Sequence, residues 1–350
     1  MGSERHRPET QTLYAQLFEA TAAYQVELLS GFSTGMPIER IVRDRPYLYW
    51  QLRDLSGQLK QVYLGSSQDA RGQALRDALL RYKEQRRPIL ADLKRLTATY
   101  VASGGTRHYG QHYKVVDALA RAGLFRAGAV LVGSHAFVSI GAAIGVSFTA
   151  DTTATADIDF CRDTYVSVAC DDLQPIDLPG VLKEVDPSFF LVPELSLKAP
   201  STSMKSRKGG IAVDFLTTAK TKRDTKPRSV AHFGLAAQPL RYMDYLVRDD
   251  IQRGLFLGAS SVLVNIPHPG RFALHKLAVA ALRIGGESSI KADKDRRQAA
   301  ALILVLADEQ PGALAHAMKE ARSFHDKGLI KDIRTSLKRL PLEVTRALDF

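Results

Sequence analysis

Residues 154–160 read Ala-Thr-Ala-Asp-Ile-Asp-Phe, and this stretch constrains the fold more than any other. In an extended segment residues i and i+2 share a face. Asp157 and Asp159 therefore project together, while Ile158 and Phe160 face the other way. Two carboxylates held that close raise each other's pKa unless positive charge lies between them. Two readings fit these seven residues: a polar edge strand washed by solvent, or a site for a divalent metal.

The chain has 350 residues and a formal net charge of +11. The charge is uneven. Residues 1–125 hold 18 Lys and Arg against 12 Asp and Glu, residues 260–350 hold 15 against 10, and residues 126–259 hold 15 of each. Basic flanks around a centre of clustered carboxylates suit a polyanionic partner, nucleic acid or nucleotide first; a basic surface that only confers solubility is the alternative. The longest strongly apolar run, AAALILVLA at 299–307, is far short of the ~18 residues of a membrane span. The N-terminal MGSERHRPET lacks an apolar leader segment. Cys161 and Cys170 are too few for a disulfide framework, so they are expected to be small buried residues in a reducing, cytoplasmic setting.

Three blocks follow from the patterning. Residues 1–125 are a basic helical region with a β-hairpin at 47–65, where aromatic runs flank Asp54-Leu55-Ser56-Gly57. Its outward residues are expected to include Arg53, Lys60, Tyr47, Tyr49, Trp50 and Tyr63. Such interleaving suits nucleic acid, and an ordinary half-buried hairpin explains it too. A charged helix from Gln68 to Tyr100 is expected to break or kink at Pro88, and His108 and His112 are expected at the surface. Residues 126–265 form an α/β core: AVLVGSHAF is a buried strand running into a helix, and DIDF and IAVDFL are strands. AKTKRDTKPR is a basic loop, and LRYMDYLV and SVLVNIPHP are further strands. The Asp171-Asp172 pair reads as solvated and His275 as helix packing. Residues 266–350 are a helical bundle opened by Pro269.

Three features of the core fall in order: a strand ending in Gly133-Ser134, the strand with Asp157 and Asp159, and a later strand with Asp214. A Gly-Ser turn at a helix start presents amides and a hydroxyl to phosphate oxygens. Asp157 and Asp159 can bridge Mg²⁺ bound to a triphosphate, and Asp214 can hold a second metal and accept the proton of an attacking hydroxyl. Gly133-Ser134-His135 is not followed by the glycine of a G-x-S-x-G elbow, and Gly133, Gly141 and Gly145 do not spell G-x-G-x-x-G, which argues against a serine hydrolase or a dinucleotide enzyme built on this turn.

This ordered set resembles the nucleotidyltransferase (DNA polymerase β-like) superfamily over roughly residues 128–305. Lys276 in RFALHKLAVA and the Lys294-Asp295 pair in KADKDRRQA extend the resemblance. They are similar to bacterial nucleotidyltransferase-fold proteins of uncharacterised role and to abortive-infection nucleotidyltransferase toxins. The spacing departs from the minimal pattern, because 22 residues separate Ser134 from Asp157, about twice the usual interval.

The resemblance implies an α/β (α+β) core with a mixed sheet and a Mg²⁺- or Mn²⁺-dependent transfer of a nucleoside monophosphate from an NTP to a hydroxyl. Asp157, Asp159 and Asp214 would be catalytic and metal-binding. Gly133, Ser134, Thr155, Lys276 and Asp295 would bind nucleotide, although Asp295 is equally a surface partner for lysines such as Lys291. The charge distribution makes an RNA end, such as a tRNA, the leading acceptor, with Arg53, Lys60, Arg86 and Arg87 holding nucleic acid. A protein side chain or a small molecule comes next. The competing class is a catalytically degenerate fold that binds nucleotide or nucleic acid without turnover.

Overall fold

Apolar spacing and turn residues assign most elements, and the computed structural model describes residues 2–28, 35–42, 44–53, 59–162, 175–193, 199–248, 250–283 and 286–348. The Asp54–Gly57 turn, Cys170 and the Asp171-Asp172 pair lie outside them. Near the N-terminus, strand β1 (Ser3–Arg5) precedes helix α1 (Pro8–Leu28). Next come β2 (Met36–Val42), β3 (Arg45–Arg53) and β4 (Leu59–Ser66), an antiparallel sheet rather than a two-stranded hairpin. Trp50 is not outward: with Leu48 and Leu64 it is buried against Leu79 and Leu80. Lys60 stands opposite Leu52, two residues from Trp50, and so shares the Trp50 face instead of the Tyr47, Tyr49 and Tyr63 face.

Helix α2 (Ala70–Ala102) begins where the Asp69 carboxylate accepts the Arg71 amide at 3.1 Å. It runs through Pro88 without a break, held before it by Leu79 and Leu80 against the sheet and after it by α1, with Leu17, Tyr24, Leu93 and Tyr100 in the shared core. Helix α3 (Gly110–Arg121) buries Val115, Val116 and Leu119. His108 and His112 are buried, not at the surface. The His108 ring stacks on Phe256, and its Nδ1 accepts the Leu257 amide at 3.1 Å.

Strand β5 (Val130–Val132) leads directly into α4 (Gly133–Ala143). The interval before the Asp-Ile-Asp strand holds β6 (Val146–Phe148) and the single-turn α5 (Ala150–Thr153). β6 pairs antiparallel with β1, so the N-terminus closes over this longer connection. Strand β7 (Asp157–Arg162), helix α6 (Leu178–Val185), strands β8 (Phe189–Leu191) and β9 (Ser203–Ser206), and strand β10 (Ala212–Thr218) follow. β7 lies between β5, antiparallel, and β10, parallel. The other edge of β10 is shared: β9 pairs with Ala212–Asp214 and β12 (Leu235–Leu240) with Leu216–Thr218. β11 (Arg228–Val230) completes this mixed sheet beside β12.

Most of LRYMDYLV is not a strand. After β12 it turns into the short helix α7 (Met243–Leu246), which buries Met243, Tyr245 and Leu246. The hairpin of β13 (Gln252–Leu257) and β14 (Ser261–Ile266) precedes five helices: α8 (Pro269–Leu282), α9 (Gly286–Glu309), α10 (Pro311–Ser323), α11 (Gly328–Leu337) and α12 (Leu342–Arg346). One apolar core runs from Tyr113 in α3 to Leu348, so the sheet and the C-terminal helices are packed together. No helix among the described residues is long and apolar enough to cross a membrane.

Asn265 joins this core to the approach of β5. Its buried amide nitrogen donates to the carbonyls of Phe125 and Ala129, each at 2.8 Å. Those carbonyls belong to the turn that aims β5 at the sheet. Removing a buried donor leaves acceptors unsatisfied, at about 1–3 kcal/mol each. Asn265→Ala is expected to lower the chemical-denaturation stability by on the order of 2–3 kcal/mol, read from the unfolding midpoint at unchanged m-value.

Candidate active site

Three strand ends meet at one point. Asp159 stands opposite Val132 of β5 on one side and Asp214 of β10 on the other. Asp157 stands opposite Ala212. The apolar alternates, Ile158, Phe160, Val213 and Phe215, are buried on the opposite face, where Phe160 and Phe215 stack at 6.1 Å. All three aspartates consequently line a cavity of about 540 Å³, within the range of small-molecule sites.

Gly133 opens α4 at the end of β5 with φ of +67°. A Cβ there would run into the Asp159 carboxylate, so both the backbone angle and the close approach require glycine. Gly133 and Ser134 line the same cavity, and the first amides of a helix have no intrahelical acceptor. The N-terminus of this eleven-residue helix therefore presents donors beside the carboxylates. Thr155 also lines the cavity, and its hydroxyl accepts the Asp157 amide at 3.3 Å.

Helices α8 and α9 form the opposite wall. Lys276, buried on α8, does not reach for solvent. Its Nζ donates to Asp295 Oδ1 at 2.7 Å, and Arg283 pairs with the other Asp295 oxygen. Asp295 is thus a buried counter-ion for two cations and not a surface partner of Lys291. Lys291 and Lys294 line the cavity as well, and Lys294 Nζ donates to the Ala154 carbonyl at 2.6 Å, gripping the loop before β7. His275 packs in α8 with its ring on the cavity, and neither ring nitrogen has a hydrogen-bond partner among the described residues.

Burial, then the adjacent Asp214 carboxylate, pushes Asp159 up to about 6, while Lys276 pulls the other way. Burial also raises Asp214, against a hydrogen bond from the Ser203 hydroxyl. Among the described residues no group of three or more His, Cys, Asp or Glu side chains forms a ready metal cage. The donor set nevertheless fits a hard divalent ion, since three carboxylates face one cavity and a cation is the partner that relieves their repulsion.

Residues 111–323 match the model of a family described as Nucleotidyltransferase. The chain belongs to this nucleotidyltransferase family. No curated protein matches it. Among solved structures it is similar to an antigenic nucleotidyltransferase-like protein from Paracoccidioides brasiliensis at 15% identity and a TM-score of 0.31, over 64% of this chain and 91% of that one.

In this nucleotidyltransferase the structure brings Gly133, Ser134, Thr155, Asp157, Asp159, Asp214, Lys276 and Asp295 to one cavity. Lys60 is not on its wall, and the side chains of Arg53, Arg86 and Arg87 lie outside the described residues. Arg283 and Lys291 on the cavity wall, and Gln298, whose amide meets Ser134 from α9, carry no site role in the sequence pattern, and Lys294 enters it only through the Lys294-Asp295 pair. A signal was present, because positions 291, 294, 295 and 298 fall at i, i+3, i+4 and i+7 on one helical face.

Two outcomes are expected. The folded protein holds the Asp159 proton to higher pH than the unfolded chain, so stability from this group is full below pH ~4 and lost by about pH 6. Asp159→Asn is expected to gain on wild type across that window by on the order of 2–3 kcal/mol, measured by metal-free thermal melts at pH 4, 5, 6 and 7. Asp295→Asn leaves two cations without their shared anion. A loss of about 3 kcal/mol is expected, read by urea denaturation at pH 7.

Proposed function

We propose that this chain transfers a nucleoside monophosphate from an NTP to a hydroxyl acceptor, releasing pyrophosphate, with Mg²⁺ or Mn²⁺ as cofactor and an RNA end as acceptor. The observation that carries this reading is the convergence of Asp157, Asp159 and Asp214 with the Gly133-Ser134 helix start and Lys276 around one cavity.

Asp157, Asp159 and Asp214 would hold the metal, which when bound supplies charge neutralisation at the reacting phosphate. The Gly133 and Ser134 amides and the Ser134 hydroxyl donate to the non-bridging phosphate oxygens. Lys276, already opposite an anion in Asp295, exchanges part of that pairing for the β- and γ-phosphates and stabilises the departing pyrophosphate. Asp214, with its raised proton affinity, accepts the proton of the attacking hydroxyl. The apolar remainder of the wall, including Leu216, Met243, Phe272 and Val279, offers a surface for base and ribose. The RNA preference is supported by the basic flanks and by Lys222 and Arg241 on the cavity wall.

The test is incubation with each α-³²P-labelled NTP, Mg²⁺ or Mn²⁺, and total RNA, protein or small-molecule extract, followed by gels and chromatography. Label in RNA is expected, with transfer abolished by Asp157→Ala and the apparent NTP KM raised about tenfold or more by Lys276→Ala. Wild-type turnover in Asp157→Ala overturns the assignment. NTP binding without pyrophosphate release in any combination makes the protein a nucleotide-binding member of the fold.

A further inference from the structure

Gln298 is fully buried on α9. Its amide nitrogen donates to the Thr152 carbonyl at 2.6 Å and to Ser134 Oγ at 3.3 Å. Its Oε1 has no hydrogen-bond partner among the described residues. The orientation of this amide is determined by chemistry, because a carbonyl only accepts and Thr152 therefore requires the nitrogen. Ser134 consequently meets a donor. A hydroxyl carries one proton and two lone pairs, so a lone pair of Ser134 is engaged on the α9 side and its proton is left for another direction. Ser134 lines the cavity, and among the described residues its hydroxyl makes no side-chain hydrogen bond other than the one with Gln298.

Thr152 belongs to α5, in the long interval between Ser134 and Asp157. Two further contacts hold this interval against α9: Arg297 with Asp151 at 3.1 Å, and Lys294 with the Ala154 carbonyl at 2.6 Å. The longer connection is thus docked, and Gln298 ties it to the Gly-Ser turn through one amide group.

We propose that Gln298 is a positioning residue for nucleotide binding: by donating to Ser134 it keeps the Ser134 hydroxyl proton turned into the cavity, available to a phosphate oxygen of the NTP. This rests on the nucleotide reading of the cavity. Gln298→Glu reverses the geometry at constant shape. A buried carboxyl facing the Thr152 carbonyl is protonated. Its one proton goes to that carbonyl, and the same oxygen then accepts from Ser134, turning the Ser134 proton away from the cavity.

The experiment is isothermal titration of the full chain with ATP, CTP, GTP and UTP, each with Mg²⁺, using wild type, Gln298→Glu, Ser134→Ala and the double variant. Thermal melts verify folding. For the NTP that wild type binds, Gln298→Glu and Ser134→Ala are each expected to weaken Kd about tenfold, the double variant no further than Ser134→Ala alone. Gln298→Met is the second variant. It removes the donor without reversing it, and its smaller loss is likewise expected to vanish in the Ser134→Ala background. Unchanged affinity in Gln298→Glu overturns the proposal, as does an equal further loss when Gln298→Glu is added to Ser134→Ala. If wild type binds none of the four, the nucleotide reading itself fails and this inference with it.

Discussion

Asp159 and Asp214 stand opposite each other in a parallel ladder, and much of the molecule is arranged around that pairing. Register forces their side chains to one face, and burial withdraws the water that would screen them. A sheet of this kind is stable only if neighbouring groups supply positive charge or donate hydrogen bonds to the carboxylates. Both occur: Lys276 and Lys291 act against the raised pKa of Asp159, and the Ser203 hydroxyl against that of Asp214. Packing on the far side, where Ile158, Phe160, Val213 and Phe215 are buried, keeps the two strands from sliding apart. A one-residue slip would place the aspartates in the apolar core.

The positive wall is itself held by an anion. Asp295 anchors Lys276 and Arg283, so the cation that faces the three aspartates is oriented before any ligand arrives. Such preorganisation carries a desolvation penalty for two buried ions, Lys276 and Asp295, and a half-buried one, Arg283, tolerable because each finds a partner. Helix α9 also bears Lys294 and Gln298, and near its end Glu309 meets Arg5 at 2.9 Å. The N-terminal strand, the long connection after α4 and the cavity therefore share one scaffold.

Period-two alternation made β7 and β10 legible, since buried strands with a polar face leave that pattern in any context. The Gly133-Ser134 turn was legible as well, and its glycine proves to be demanded twice, by φ and by the Asp159 carboxylate. Elements whose state depends on distant neighbours were not. LRYMDYLV packs as a turn and short helix because Met243, Tyr245 and Leu246 must all reach the core. His108 is buried because Phe256 and the Leu257 amide come from a hairpin about 150 residues away. Pro88 leaves α2 unbroken because distant elements hold it on both sides of that residue: Leu79 and Leu80 pack on the three-stranded sheet, and Ile89 to Val101 on α1.

By itself the sequence determined the chemistry available to this chain: three aspartates on two strands, a glycine before a helix, and a lysine and an aspartate on later helices. Those follow from local periodicity, which needs only neighbouring residues. Tertiary structure decided which charges meet. Asp295 faces Lys276 and Arg283 instead of solvent, Lys60 shares the Trp50 face, and Gln298 reaches Ser134, 164 residues apart. Ion pairs and hydrogen bonds form over a few ångströms in space, with no periodic trace along the chain, so only the folded arrangement can assign them.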